Sequence, residues 1–215
     1  MTVPADDLDP LRAYWDERAR SAASDCERIE SGRRGQRLRF EAFLQHHLVA
    51  GRSVLDVGCG VGDFYERLQQ RVIDADYHGI DLSTDMVARA RQRFPGARFE
   101  VADISQLAAG TAFDYTTAFA IHNIKVDNGL AMLERVMRQQ FALSRVMAYV
   151  SLLTDRYQGF SPHLQAWRAE EILTLALSIS PYVALRHDYL PNDFSVAIYR
   201  QPLIDSVPGL TADLA

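Results

Sequence analysis

A doubly wound α/β fold is the class this sequence predicts, and three features predict it. The run Val54-Leu55-Asp56-Val57-Gly58-Cys59-Gly60-Val61-Gly62-Asp63-Phe64 is a short apolar strand that empties into a glycine-rich turn and then a helix. From Val54 onward, strand-like and helix-like segments alternate, the pattern of parallel strands joined by helical crossovers. Two β-like runs, Tyr182 to Leu190 and Phe194 to Arg200, flank the turn signal Pro191-Asn192-Asp193 and read as an antiparallel hairpin. The expected core is therefore a mostly parallel, seven-stranded sheet that ends in that hairpin.

Taken in order, residues 7 to 49 read as two helices broken near Ser31-Gly32, with Leu38, Phe43, Leu44 and Leu48 on or near one apolar stripe. This is a helical cap over residues 1–50. A core over 51–200 follows: strand 53–57, helix 63–71, strand 76–81, helix 84–94, strand 97–101, strand 114–121, helix 128–140 and strand 145–152. In helix 84–94, Met86, Val87, Ala90 and Phe94 form the inward stripe, Arg89 and Arg93 share a polar flank, and Ser83 is the expected N-cap. Thr154 to Gln165, with Gly159 and Pro162, is irregular and is expected to shape a pocket. A helix over 168–179 then turns Ile172, Leu173, Ala176 and Leu177 inward. Residues 201–215 carry little periodicity and read as a tail or an oligomer contact. The whole of 1–215 is expected to be one domain.

Composition narrows the function. The 215 residues are 48% apolar, enough for a sizeable core, with a formal net charge of −5. Nucleic acid and anionic membranes both call for a basic footprint, so neither is the expected partner; a small polar molecule is. The cysteines, Cys26 and Cys59, imply no disulfide framework. With no signal-like start and no apolar run of membrane-spanning length, the expected location is the cytoplasm. Six histidines never form H-E-x-x-H, and His46 and His47 fall on different helical faces, so no metal site is expected. Neither G-x-S-x-G nor G-x-x-x-x-G-K-[ST] occurs.

The glycine loop is the chemical signal. Gly58, Gly60 and Gly62 let the backbone turn tightly and approach a ligand, and the next helix offers unpaired N–H groups. A dinucleotide fingerprint would need a further glycine where Asp63 stands, and that carboxylate would repel a pyrophosphate, so NAD and FAD are disfavoured. A second strand-like motif, Tyr77-His78-Gly79-Ile80-Asp81-Leu82-Ser83, ends in a carboxylate placed to accept hydrogen bonds from both hydroxyls of a ribose. Val101-Ala102-Asp103-Ile104 and Phe113 to Asn123 follow in order.

These four motifs resemble the class I S-adenosylmethionine-dependent methyltransferases, small-molecule type, whose first motif looks like V-L-D-V-G-C-G-x-G. The resemblance implies a Rossmann-like fold and S-adenosylmethionine as cofactor. It assigns Asp56, Gly58, Cys59, Gly60, Gly62, Asp81, Leu82, Met86, Asp103, Ile104 and Ala120 to the cofactor, and brings Ala120, Ile121, His122 and Asn123 to the reaction centre. His122, with an ordinary pKa near 6.5, is the candidate base; its other reading is a hydrogen bond to the adjoining loop. Asn123 would orient an acceptor or cap the helix starting near Asp127. Tyr14 and Trp15 would close over the sulfonium or pack in the core. Arg33, Arg34, Arg37 and Arg39, among Glu27, Glu30 and Glu41, read as a solvated face, with Arg37 or Arg34 the candidate for a carboxylate of cofactor or substrate. Tyr157, His163, Tyr189 and Asn192 fall in regions that shape the family's pocket.

Two departures bear on the acceptor. No N-P-P-Y-like sequence follows the fourth strand, which turns the expectation from nucleobases and protein side chains to small metabolites. The usual Pro-Gly-Gly turn before the fifth strand is replaced by Phe141-Ala142-Leu143-Ser144-Arg145. The expected reaction is in-line methyl transfer to O, N or S of a small molecule. The alternatives are attack at another sulfonium carbon, as in cyclisation or transfer of the 3-amino-3-carboxypropyl arm with release of methylthioadenosine, an RNA or protein methyltransferase, and a binding module without chemistry. The oligomeric state is open.

Overall fold

The computed structural model describes residues 8–21, 32–108 and 112–203. Cys26, Glu27, Glu30, Ser31 and the tail from Ile204 onward lie outside them. Helices α1 (Asp9–Ser21) and α2 (Gly32–Leu44) precede β1 (Ser53–Val57), α3 (Asp63–Gln70), β2 (Asp76–Asp81), α4 (Thr84–Arg93) and β3 (Arg98–Val101). After a short 3-10 turn at Ile104–Gln106 come β4 (Phe113–Phe119), α5 (Gly129–Leu143), β5 (Ser144–Leu153), α6 (Ala169–Leu177), β6 (Val183–Leu190) and β7 (Asp193–Tyr199).

The seven strands form one sheet in the order β3-β2-β1-β4-β5-β7-β6. Pairings from β3 through to β5 are parallel, and β7 runs antiparallel to both β5 and β6. The chain winds outward from β1 to β3 and then crosses back to β4 on the other side of β1. That reversal opens a crevice beyond the carboxyl ends of β1 and β4, the place where doubly wound sheets take their ligands. The central strands are buried because both faces are covered: Val54, Leu55 and Ala118 are fully enclosed.

Local chemistry sets most boundaries. Ser83 caps α4, its Oγ accepting the Met86 N–H at 3.1 Å, and Met86, Val87 and Ala90 are buried beneath it while Phe94 is half-buried. Helix α5 runs straight into β5, and the Arg200 guanidinium donates to the Ser144 carbonyl at 3.0 Å where a Pro-Gly-Gly turn is missing.

Three expectations are corrected. Helix α2 stops at Leu44, so Leu48 falls beyond the apolar stripe and is 86% exposed. Leu177 sits in the last turn of α6 and is 51% exposed, leaving Ile172 and Ala176 to fill the core. Strand β4 ends at Phe119 rather than 121, because Ala120 turns the backbone to φ 62. No helix among the described residues is long and apolar enough to cross a membrane.

Candidate active site

The crevice is built first by the loop after β1. Gly58 and Cys59 both donate their N–H to the Ile80 carbonyl, at 2.8 and 3.0 Å, which clamps the loop to β2. Gly58 has φ +72, and a Cβ there would stand 2.2 Å from Cγ2 of Ile121, so only glycine lets the two loops meet. Gly60 also has positive φ, but a Cβ on it would meet nothing within 4 Å. Its bare backbone faces open space in the cavity, the cradle expected of a ligand-approaching glycine.

Asp81 ends β2 and ties this loop to α4. Its Oδ2 accepts the Gly60 N–H at 2.8 Å and its Oδ1 accepts the Ser83 N–H at 2.9 Å. Burial raises its pKa, and those two N–H donors oppose the rise. Each oxygen keeps a lone pair for a further donor, which fits two vicinal hydroxyls. Asp103 accepts the Ser105 N–H at 2.9 Å and caps the short turn that carries buried Ile104. Leu82, Met86 and Ile104 add apolar surface to the cavity wall.

Asp56 lies beneath the loop, accepting from Tyr77 Oη at 2.8 Å and Thr117 Oγ1 at 3.2 Å. Desolvation pushes its carboxyl up to about 7, against the lowering effect of those hydroxyls. Burial likewise pushes the Cys59 thiol up, so it stays protonated. Asp63, at the start of α3, is paired with Gln36 Nε2 at 2.9 Å and Arg93 Nη1 at 2.7 Å.

The far wall is the turn after β4. Ala120 donates its N–H to Ser151 at 3.1 Å, and Ile121, His122 and Asn123 follow onto the cavity. The His122 carbonyl is held by Trp167 Nε1 at 3.0 Å, while its Nε2 is buried without a partner among the described residues. Burial lowers its pKa to about 4, so the imidazole is neutral rather than poised near neutrality as its ordinary value suggests. Asn123 Oδ1 accepts the Leu153 N–H at 3.4 Å and is tied to β5; it does not cap α5, whose N-cap is Asn128 in the left-handed region.

All the sequence-predicted cofactor residues except Gly62 line this one cavity, together with His122, Asn123 and Trp15. Gly62 sits just behind as the left-handed N-cap of α3. Three weaker candidates lie away from the cavity wall. Tyr14 packs edge-on against Trp15, Arg37 is exposed on α2, and Tyr157 is exposed against Phe160. His163, Tyr189 and Asn192 are also off the wall. Among the described residues no group of three or more His, Cys, Asp or Glu side chains is arranged to hold a metal ion.

Several lining residues escape sequence reasoning: Gln36, Phe40, Phe119, Met132, Arg135 and Gln139, and above all Arg39. Rather than joining a solvated face, Arg39 is 1% exposed and donates from Nε to Asp193 at 2.5 Å. A signal was present: Arg39 stands four residues before Phe43, on the same buried stripe.

Comparison with known proteins agrees with this geometry. A family described as "Methyltransferase domain" matches residues 54–140. A trans-aconitate 2-methyltransferase of Delftia acidovorans is 50% identical over 65 residues, 30% of this chain and 24% of that protein. The chain thus matches about a quarter of the length of that relative. A carboxy-S-adenosyl-L-methionine synthase of Helicobacter pylori is 26% identical over 164 residues, 66% of this chain and 69% of that one. Among solved structures, the magnesium protoporphyrin IX methyltransferase of Synechocystis with bound SAM shares the fold at a TM-score of 0.66 and 17% identity, covering 94% of this chain and all of its own. Residues 54–140, which hold the glycine loop, Asp81, Asp103 and the turn after β4, thus match a methyltransferase domain.

Proposed function

We propose that this protein transfers a methyl group from S-adenosylmethionine to an O, N or S atom of a small-molecule acceptor in the cytoplasm. The observation that carries the reading is that one cavity joins the Gly58–Gly62 loop and the Asp81 carboxylate to His122 and Asn123. Asp81 would hold the ribose, the bare backbone at Gly60 would let the cofactor approach, and Asp103 with Leu82, Met86 and Ile104 would enclose the adenine. The cofactor supplies an electrophilic methyl on sulfur, and the chain's task is to align a nucleophile with it. Asn123, fixed to β5 through Oδ1, keeps its amide N–H donors for the acceptor. The neutral His122, with an unpartnered Nε2, takes the acceptor's proton or a hydrogen bond from it. Burial by α1 and α2 excludes water from the displacement.

The likeness to a carboxy-S-adenosyl-L-methionine synthase keeps one second reading, chemistry on the cofactor itself. Purified protein incubated with S-adenosylmethionine, alone and with pooled small-molecule extract, separates them by mass spectrometry. S-adenosylhomocysteine that accumulates only with extract is the expected result. Methylthioadenosine formed from S-adenosylmethionine alone, or a carboxylated sulfonium formed with a carboxyl donor from the extract in place of S-adenosylhomocysteine, would overturn the methyl-transfer reading.

A further inference from the structure

We propose that the acceptor carries a small apolar group, and that a side chamber at the start of α5, walled by Trp167 and sized by Gly129, receives it; the proposal rests on the reading of the main cavity as a cofactor and acceptor site. The chamber opens off that cavity beside His122. Leu11, Ile121, Ile124 and Met132 line both spaces, while Val126, Gly129 and Trp167 line the chamber alone. His122 is its one polar side chain, whereas the carboxyls of Asp56, Asp63, Asp81 and Asp103 all line the main cavity. The free volume, about 10 Å³, is that of roughly one water-sized sphere. A water held there would want about two to four polar partners, so a methyl-sized apolar group is the better occupant.

The walls are fixed before anything binds. Trp167 Nε1 donates to the His122 carbonyl at 3.0 Å, and the Trp167 backbone N–H donates to the Leu153 carbonyl at 2.9 Å. The N–H groups of Gln165 and Lys125 donate to the carbonyls of Asn123 and His163, each at 2.9 Å, which laces segment 163–167 to the turn after β4. A preformed chamber of this kind spends little on ordering itself around a ligand. Gly129 is the residue the fold does not require. Its φ is not in the left-handed region, and a Cβ there would stand 3.5 Å from Cη2 of Trp167 and 3.7 Å from Cγ2 of Val126, ordinary van der Waals contact. Alanine would therefore fit, and it favours a helix more than glycine does. What glycine provides is the space of that methyl, inside the chamber.

Small-molecule extract split on a reversed-phase column, into a retained fraction and a flow-through of wholly polar molecules, tests this with S-adenosylhomocysteine formation from S-adenosylmethionine as the readout. The wild type should turn over the retained fraction. One added methylene in an apolar pocket shifts selectivity by about tenfold or more, so Gly129→Ala should cut that rate about tenfold and Gly129→Val further. Both variants should keep their S-adenosylhomocysteine affinity in calorimetry, and the urea midpoint of Gly129→Ala should equal or exceed that of the wild type. Activity confined to the flow-through means an acceptor without an apolar group, and equal rates in wild type and both variants mean that the chamber is not used. A fall in S-adenosylhomocysteine affinity as large as the fall in turnover means that Gly129 serves the cofactor. Each of these overturns the proposal while methyl transfer stands. A wild type that forms no S-adenosylhomocysteine with either fraction would instead sink the methyl-transfer reading, and this proposal with it.

Discussion

Gly60 donates its backbone N–H to the Asp81 carboxylate at 2.8 Å, so the loop after the first strand and the end of the second are one rigid unit. The same carboxylate also holds the Ser83 N–H, and with it the start of α4. Asp81→Ala removes both anchors together with the acceptors proposed for the ribose. Hydrogen bonds to a charged group are worth about 1.5–3 kcal/mol each, so S-adenosylhomocysteine affinity should fall at least about tenfold. Isothermal titration measures it, and unchanged affinity would remove Asp81 from the cofactor site.

The two loop glycines should fail in different ways. Gly58→Ala puts a methyl 2.2 Å from Cγ2 of Ile121 in a backbone of φ +72, and the protein should lose about 2 kcal/mol or more of stability, read by urea unfolding. Gly60→Ala meets nothing in the protein and bears only the strain of φ +54, about 1 kcal/mol. It should fold, yet bind S-adenosylhomocysteine poorly, because its methyl occupies the space left for the ligand.

This contrast shows what was legible in the sequence. Strands 53–57 and 76–81 match residue for residue because buried parallel strands are written as short apolar runs bounded by turn residues. The glycine loop and Asp81 are local motifs and could be read in place. Arg39 was legible only in part: its place four residues before Phe43 puts it on the buried stripe, but its partner Asp193 is supplied by a strand 154 residues away and its neighbours Arg34 and Arg37 are exposed. The electrostatics of His122 were equally hidden: its side chain is ordinary, and only the burial imposed by the turn after β4 lowers its pKa.

For His122, the catalytic proposal predicts that His122→Ala lowers turnover at least about a hundredfold while S-adenosylhomocysteine affinity is retained. Its folded pKa of about 4 lies below the ordinary 6.5, so the native state resists the proton. The stability it contributes is complete above about pH 6.5 and is lost as pH falls toward 4. Between pH 7 and 5 a His122→Gln variant should therefore lose about 2 kcal/mol less than the wild type in urea unfolding. Parallel curves would mean that His122 is not desolvated.

Asp56 works in the opposite sense. Its carboxyl, raised from 3.8 to about 7, holds its proton in the folded state, so its contribution is present at acid pH and is lost as pH rises from about 4 to about 7. Asp56→Asn mimics the protonated form between Tyr77 and Thr117. The variant should gain urea resistance relative to the wild type as pH goes from 5 to 8, and a difference that stays flat over that range would show that Asp56 is already ionised in the fold.

The first helix is latched to the same unit. Asp16 accepts from the Ser83 hydroxyl and from the Asp85 N–H at 3.2 Å, while Arg12 Nε donates to the Leu82 carbonyl at 3.2 Å. Ser83 is thus bonded on both sides, capping α4 through one lone pair and donating its proton to α1. Because α1 contributes Leu11 and Trp15 to the cavity wall, this contact holds one side of the cavity in place. Asp16→Ala removes the shared acceptor without touching the cavity lining, and about 1–2 kcal/mol of closure should be lost. Stopped-flow release of S-adenosylhomocysteine should quicken about fivefold to thirtyfold, with the association rate little changed. A release rate equal to that of the wild type would show that α1 is not what closes the cavity.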